Sequence, residues 1–289
     1  MKKPISLRTK QVLKEHGLAL KKSLGQNFLT DLNVLENIVD AAQLTDQSGV
    51  IEIGPGIGAL TERLAQQAKK VVAVEIDQRL LPVLKRHFEE DANVTILHGD
   101  AMQVDFHQLI TDQFADCDKV HVVANLPYYI TTPILARLLE EKYPLHNIVI
   151  MIQKEVAERI VANPGKKDFG ALSVLAQYYA DVSWVTKVPS HVFVPQPKVD
   201  SAVIRLDIRQ EPAVMVESEK RFFQIVRASF AQRRKTLSNA LGSQVLQDRS
   251  KAEVNELLLE AGVEPSRRGE TLTLEEFAKI ADLSLRSKT

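Results

Sequence analysis

The chain is poor in the residues that build several common kinds of site. Its 289 residues include a single cysteine, Cys117. No intramolecular disulfide can form and no cysteine-based zinc site can be assembled, which suits a reducing compartment. With no partner motif beside it, Cys117 reads as a packed or incidental thiol rather than a nucleophile. No apolar run approaches the roughly 18 residues of a membrane span. The basic N-terminus lacks the apolar stretch of a secretory signal, and Lys outnumbers Arg there, which argues against a mitochondrial presequence. A cytoplasmic protein is the expectation. Glycine and proline number only 12 each, too few for a collagen-like or low-complexity chain. With 45% hydrophobic and 26% charged residues, the composition also excludes intrinsic disorder. The length suits one or two domains.

An excess of either charge is missing as well: 37 basic side chains face 37 acidic ones. That balance is an average over unlike regions. Residues 1–22 hold seven basic side chains (Lys2, Lys3, Arg8, Lys10, Lys14, Lys21, Lys22) against Glu15. Residues 219–235 hold six (Lys220, Arg221, Arg227, Arg233, Arg234, Lys235) against Glu219. The remainder carries 24 basic and 35 acidic residues, a net of −11. Two basic clusters on an acidic body read either as solvated surface or as a surface for phosphates.

Between residues 50 and 152, short β-branched runs alternate with helical patterns. The runs are 50–53, 71–75, 94–97, 120–124 and 148–152. They have the character of strands buried on both faces. Leu60, Leu64 and Ala68 repeat at helical spacing, as do Leu80, Leu84 and Phe88, while Ile134, Leu138 and Leu139 follow Pro133. The alternation predicts an α/β fold with a mostly parallel, Rossmann-like sheet. Residues 182–185 and 202–206 look like two further strands, separated by a segment with Pro189, Pro195 and Pro197. They predict an antiparallel pair at the sheet edge. After Pro212 the alternation stops. Ser218 precedes the helical face Phe222, Phe223, Val226 and Phe230; Leu257, Leu258 and Leu259 sit in another helix; and Thr273 and Glu276 have capping-box spacing. A small, all-helical C-terminal domain is expected.

The first strand runs into Gly54-Pro-Gly-Ile-Gly58 and then a helix, and Glu75 ends the next strand. Glycines admit positive φ and close ligand approach, a helix start offers free N–H groups, and a carboxylate at that strand end can accept ribose hydroxyls. The turn fits two ligand classes. Gly54, Gly56 and Ala59 match the dinucleotide form GxGxxA. Glu52, Gly54, Gly56 and Gly58 match the form seen in S-adenosylmethionine-dependent methyltransferases. Asp100, past the third strand, is placed to accept from an adenine amino group, and by itself reads at least as well as a turn residue. Past the fourth lies Asn125-Leu-Pro-Tyr128. An exocyclic amino group is a poor nucleophile because its lone pair is delocalised into the ring. Acceptors on the Asn125 side chain and the Leu126 carbonyl can bind its two hydrogens and localise that pair, while Tyr128 stacks on a base taken out of its helix.

The ordered pieces Lys22-Ser-Leu-Gly-Gln-Asn-Phe-Leu29, Ile53-Gly-Pro-Gly-Ile-Gly58, Val74-Glu75, Gly99-Asp100, Asn125-Leu-Pro-Tyr128, Ser173-Val-Leu-Ala-Gln177 and Phe193-Val-Pro-Gln-Pro-Lys-Val-Asp-Ser201 cover nearly the whole chain. In them the sequence resembles the bacterial 16S rRNA adenine N6,N6-dimethyltransferase family (RsmA/KsgA type). The resemblance implies a basic arm over 1–22, a methyltransferase domain over 23–211 and a helical, RNA-contacting domain over 212–289. It implies dimethylation of two adjacent adenosines near the 3′ end of 16S rRNA, with S-adenosylmethionine as methyl donor and S-adenosylhomocysteine as product. It further implies a role in small-subunit biogenesis for a monomer that binds 16S rRNA and the small ribosomal subunit, with no metal and no membrane. By resemblance, Asn27, Leu29, Gly54, Glu75, Asp100 and Asn125 line the cofactor site, and residues 26–29 lie over it as a lid. Asn125, Leu126, Pro127 and Tyr128 carry the chemistry, with Phe193 as the second face of an aromatic clamp; by itself, Phe193 reads equally as an anchor pinning its loop. A 23S rRNA methyltransferase of the macrolide-resistance type would share the fold, cofactor and tetrad, but Leu126 and the 193–201 segment favour the small-subunit type. A non-catalytic RNA-binding assembly factor is opposed by Glu75, Asp100 and the tetrad. An NAD-dependent oxidoreductase rests on the GxGxxA match alone.

Overall fold

The computed structural model describes residues 9–15, 26–232 and 234–286. Most of the basic arm expected over 1–22, residues 22–25 of the first motif, and Arg233 lie outside the described residues. The chain divides into two compact units. One comprises the described residues up to Ala157 together with Val182–Ile208; the other comprises Glu158–Asp181 with the described residues from Arg209 onward.

In chain order the elements are α1 (Thr9–Glu15), β1 (Phe28–Leu29), α2 (Leu32–Ala42), β2 (Ser48–Ile53), α3 (Ala59–Gln67), β3 (Lys70–Glu75) and α4 (Leu81–His87). There follow β4 (Val94–His98), α5 (Phe106–Gln113), β5 (Lys119–Asn125), α6 (Thr131–Glu140), β6 (Asn147–Gln153), α7 (Lys154–Val161) and α8 (Ala171–Tyr179). The last are β7 (Ala180–Val188), β8 (Phe193–Val194), β9 (Ser201–Ile208), α9 (Glu219–Ala231), α10 (Leu237–Gln244), α11 (Lys251–Glu260) and α12 (Leu274–Leu283). All five β-branched runs are strands.

The main sheet has the order β4-β3-β2-β5-β6-β9-β7. From β4 to β6 every pairing is parallel. Strand β9 is antiparallel to β6, from Asn147 opposite Asp207 to Gln153 opposite Ser201. The returning strand therefore slips between β6 and β7. The proline-containing connection before it is more than a loop: β8 pairs antiparallel with β1, placing Phe28 opposite Val194 and Leu29 opposite Phe193. Strand β2 is buried along its whole length, as a central parallel strand must be. Helix α2 starts at Asp31, whose Oδ1 accepts from the Val34 N–H, and buries Val34, Leu35, Ile38, Val39 and Ala42 on one face.

The second unit has an aromatic core. Tyr178 of α8 lies 4.8 Å, centre to centre, from Phe222 of α9, and Phe169 lies 6.0 Å from Phe230. Phe277 of α12 joins Phe222 at 6.5 Å and Phe230 at 5.9 Å. These contacts bring 158–181 to the C-terminal helices, whereas the sequence suggests one boundary near residue 211. Ser218 caps α9 through Arg221 N–H, and Thr273 and Glu276 form the expected capping box on α12.

His121, in the middle of the first unit's sheet, is fully buried. Asn147 donates its amide hydrogen to the Ala42 carbonyl at 3.0 Å, so its Oδ1 accepts from His121 Nδ1–H at 2.9 Å. The other ring nitrogen has no hydrogen-bond partner among the described residues. Burial, reinforced by His146, lowers the imidazole from its ordinary 6.5 to about 4. The unfolded chain therefore takes up a proton between those two values and the folded one does not, so this group's contribution is complete above pH 6.5 and is lost toward pH 4. Replacing His121 with Leu should narrow the wild-type advantage in melting temperature as pH falls from 6.5 to 4. A gap that stays constant over that range would contradict this account.

Candidate functional site

Because β2 to β5 are parallel neighbours, their carboxyl ends share one edge of the sheet. Gly54 follows β2, Glu75 ends β3, Asp100 follows β4 and Asn125 ends β5. This edge is where open α/β sheets bind ligands. A cavity partly open to solvent is lined there by Asn27, Leu29, Gly54, Glu75, Asn125, Leu126, Pro127, Tyr128 and Phe193, among others. Asp100 stands outside that lining, at the head of a turn in which its Oδ1 accepts from the Met102 N–H at 2.9 Å.

Gly54 has φ +72° and Gly56 φ +61°. A side chain at Gly54 would meet nothing within 4 Å, so the backbone there is open to close approach; one at Gly56 would strike the Phe28 ring at 2.7 Å. The turn is tied to the next strand by Glu75. Its Oε2 accepts from Gly56 N–H at 3.1 Å and its Oε1 from Asp77 N–H at 2.7 Å. Each carboxylate oxygen can accept a second hydrogen bond. Burial raises the Glu75 pKa, and these backbone donors oppose that rise.

Residues 26–30 form a strap along the cavity. Gln26 donates to Asp77 Oδ2 at 2.8 Å, Phe28 and Leu29 pair with β8, and Thr30 gives both its N–H and its hydroxyl to the Val192 carbonyl. Asp77 also meets Arg79 at 2.6 Å, which, with Gln26, takes its carboxyl down to about 2. The carbonyl of Asn27 accepts from Asn125 Nδ2 at 3.2 Å. That bond orients the Asn125 amide and engages its nitrogen, so its Oδ1 remains the acceptor end of a side chain that lines the cavity. The Pro127 carbonyl is engaged by Ile130 N–H and the Thr131 hydroxyl, both at 3.2 Å, which fixes the backbone leading to Tyr128. Phe193 lines the cavity yet is only 3% exposed, so it also anchors its segment in the core.

Sequence reasoning passed over two contributors and gave Glu52 a place in the glycine motif without its buried partner. Ile76 and Tyr129 line the cavity while remaining 45% and 57% exposed, and large apolar groups just past strand ends are the signal that could have found them. Glu52 also lines it and is 1% exposed. Thr61 donates to its Oε2 at 2.5 Å. Burial, with a smaller push from Glu75, takes its carboxyl up to about 8 against the opposing Thr61 bond.

The family model described as ribosomal RNA adenine dimethylase matches residues 17–280. The chain is 55% identical over 278 residues to ribosomal RNA small subunit methyltransferase A of Bacillus pumilus, covering 96% of this chain and 95% of that one. It is 54% identical over 277 residues to the protein of the same name in Bacillus licheniformis, with 96% and 95% covered. Among solved structures it resembles a dimethyladenosine transferase from Plasmodium falciparum, with TM-score 0.72, 26% identity, and 87% of this chain and 95% of that one covered. It also resembles the 23S rRNA methyltransferase ErmE, with TM-score 0.66, 25% identity, and coverage of 88% and 98%.

Glu52 has a pH signature of its own. A carboxyl at 4.5 in the unfolded chain and about 8 in the fold stabilises fully below 4.5 and progressively loses that contribution as pH rises to 8. Glu52→Gln keeps an acceptor for Thr61 and cannot ionise. Its melting temperature relative to wild type should rise between pH 5 and pH 8; a parallel pair of pH profiles would refute the assignment.

Proposed function

Because the chain belongs to the ribosomal RNA adenine dimethylase family, we infer that it dimethylates adenine N6 in the RNA of the small ribosomal subunit. Relatives named for the small subunit match at 54–55% identity over almost the full length, against 25% for the 23S enzyme, and this supports 16S rRNA as the substrate. The observation that carries the chemistry is the Asn125 amide held through its nitrogen by the Asn27 carbonyl, in a cavity lining it shares with Leu126 and Tyr128.

We assign the methyl donor as S-adenosylmethionine, and the residues present fit it. Gly54 leaves backbone open to approach, Glu75 keeps lone pairs for two ribose hydroxyls, and Ile76 offers an exposed apolar surface to a flat ring. Asn27, Leu29, Gly54, Glu75 and Asn125 would hold it, with Asp100 reaching its adenine from the neighbouring strand end. When bound, the donor supplies an electrophilic methyl on a sulfonium, leaving S-adenosylhomocysteine.

This chain's own residues then bind, orient and activate the acceptor. Asn125 Oδ1 and the Leu126 carbonyl accept the two N6 hydrogens of a flipped adenine, which localises the nitrogen lone pair and aims it. Pro127 stiffens the tetrad, Tyr128 stacks on the base, and Phe193 supplies the second face. N6 becomes acidic as it is alkylated, so its proton passes to water without a strong base. Positioning and fixed dipoles do most of the catalysis. Asn125→Ala should lower methyl incorporation into undermethylated small subunits by about 100-fold or more at saturating S-adenosylmethionine, a concentration set by calorimetry so that weaker donor binding does not account for the loss. Near-wild-type incorporation would remove Asn125 from this role.

In the second unit, Lys220, Arg227, Arg234 and Lys235 are exposed, and none forms an ion pair among the described residues. Such unneutralised cations suit an RNA backbone, on an otherwise acidic protein. Replacing Arg227, Arg234 and Lys235 together with Ala should weaken small-subunit binding about tenfold and flatten its salt dependence. Donor affinity should stay unchanged; equal loss of both would count against an RNA-contacting role.

A further inference from the structure

Tyr128 is held at both ends. Its backbone follows Pro127, whose carbonyl is engaged by Ile130 and Thr131. Its hydroxyl lies 2.9 Å from Ser201 Oγ. Ser201 is fully buried and opens β9, facing Gln153 in the ladder with β6. The anchor is therefore a strand residue fixed by main-chain pairing. The neighbouring Asp200 accepts from Ser190 N–H at 3.0 Å and pairs with Lys187 at 2.9 Å, so the segment leading from Phe193 is tied down as well. Burial raises the phenol pKa, which keeps its proton in place. A ring pinned at its backbone and at its hydroxyl cannot rock.

That rigidity matters unequally for two successive transfers. An unmodified adenine offers N6 two hydrogens to the acceptors at Asn125 and Leu126. Once monomethylated it offers one. The second transfer therefore depends more on the stacking face for its alignment than the first.

We propose that Ser201 is a positioning residue which, through the Tyr128 hydroxyl, sets how efficiently monomethyladenine goes on to dimethyladenine. This rests on the N6-dimethylation reading of the site.

The test uses the full chain with undermethylated small subunits, and counts N6-methyladenine and N6,N6-dimethyladenine by nucleoside mass spectrometry. Ser201→Ala and Tyr128→Phe should each raise the mono-to-dimethyl ratio by about fivefold at matched extent of first transfer, the order expected for one neutral hydrogen bond. The double variant should be no worse than either single one, since both remove the same bond. Ser201→Thr, which keeps a hydroxyl, should restore the wild-type ratio. Melting temperature and S-adenosylmethionine affinity serve as controls; if Ser201→Ala fails to fold, Tyr128→Phe decides, because it keeps the ring and deletes only the oxygen. Unchanged ratios in both single variants, or additive effects in the double, would overturn the proposal while leaving the function intact. A wild-type protein that yields no dimethyladenine would instead overturn the functional reading, and this inference with it.

Discussion

The Glu75 carboxylate joins the ends of two parallel strands by accepting backbone hydrogens from Gly56 and Asp77. A buried carboxylate is costly unless donors surround it, and here the donors are the turn and the strand end that must hold still. With Gly56 fixed, Phe28 packs where a side chain would stand, and with Asp77 fixed, Gln26 has its partner. The strap along the cavity thus takes its place from the same carboxylate that ties the glycine turn to the strand end.

From the strap the dependence runs to the acceptor side. Asn27 orients Asn125 through a main-chain carbonyl, and the ribbon of β1 with β8 carries Phe193. The glycine-turn side and the Asn125 side of the cavity consequently share hardware: displacing residues 26–30 would loosen the glycine turn, the Asn125 amide and the Phe193 segment together. The buried carboxyl of Glu52, kept by its Thr61 partner, lies against the same cavity.

Much of this was readable in residue order. Strands buried on both faces read as β-branched runs, so β2 to β6 stood out, and with them the positions of Gly54, Glu75, Asp100 and Asn125 at the strand ends. What stayed hidden depends on distance along the chain. The Asn27–Asn125 bond spans 98 residues, Tyr128–Ser201 spans 73, and Thr30–Val192 spans 162. Strands β1 and β8 are two residues each, too short to show a period. The grouping of 158–181 with the C-terminal helices comes from Tyr178 and Phe169 meeting aromatics far downstream, which no local pattern announces.

The insertion of β9 between β6 and β7 has a consequence for the growing polypeptide. Synthesis delivers β7 before the strand that separates it from β6. Until residues 201–208 emerge, the apolar strand Asn147–Gln153 exposes an unpaired row of amides and carbonyls, the sort of edge that recruits foreign strands. Such a late, non-local closure is slow by nature. The newborn chain is therefore most vulnerable to aggregation just before its central sheet is completed, and the strand that removes the hazard is the one that opens with Ser201.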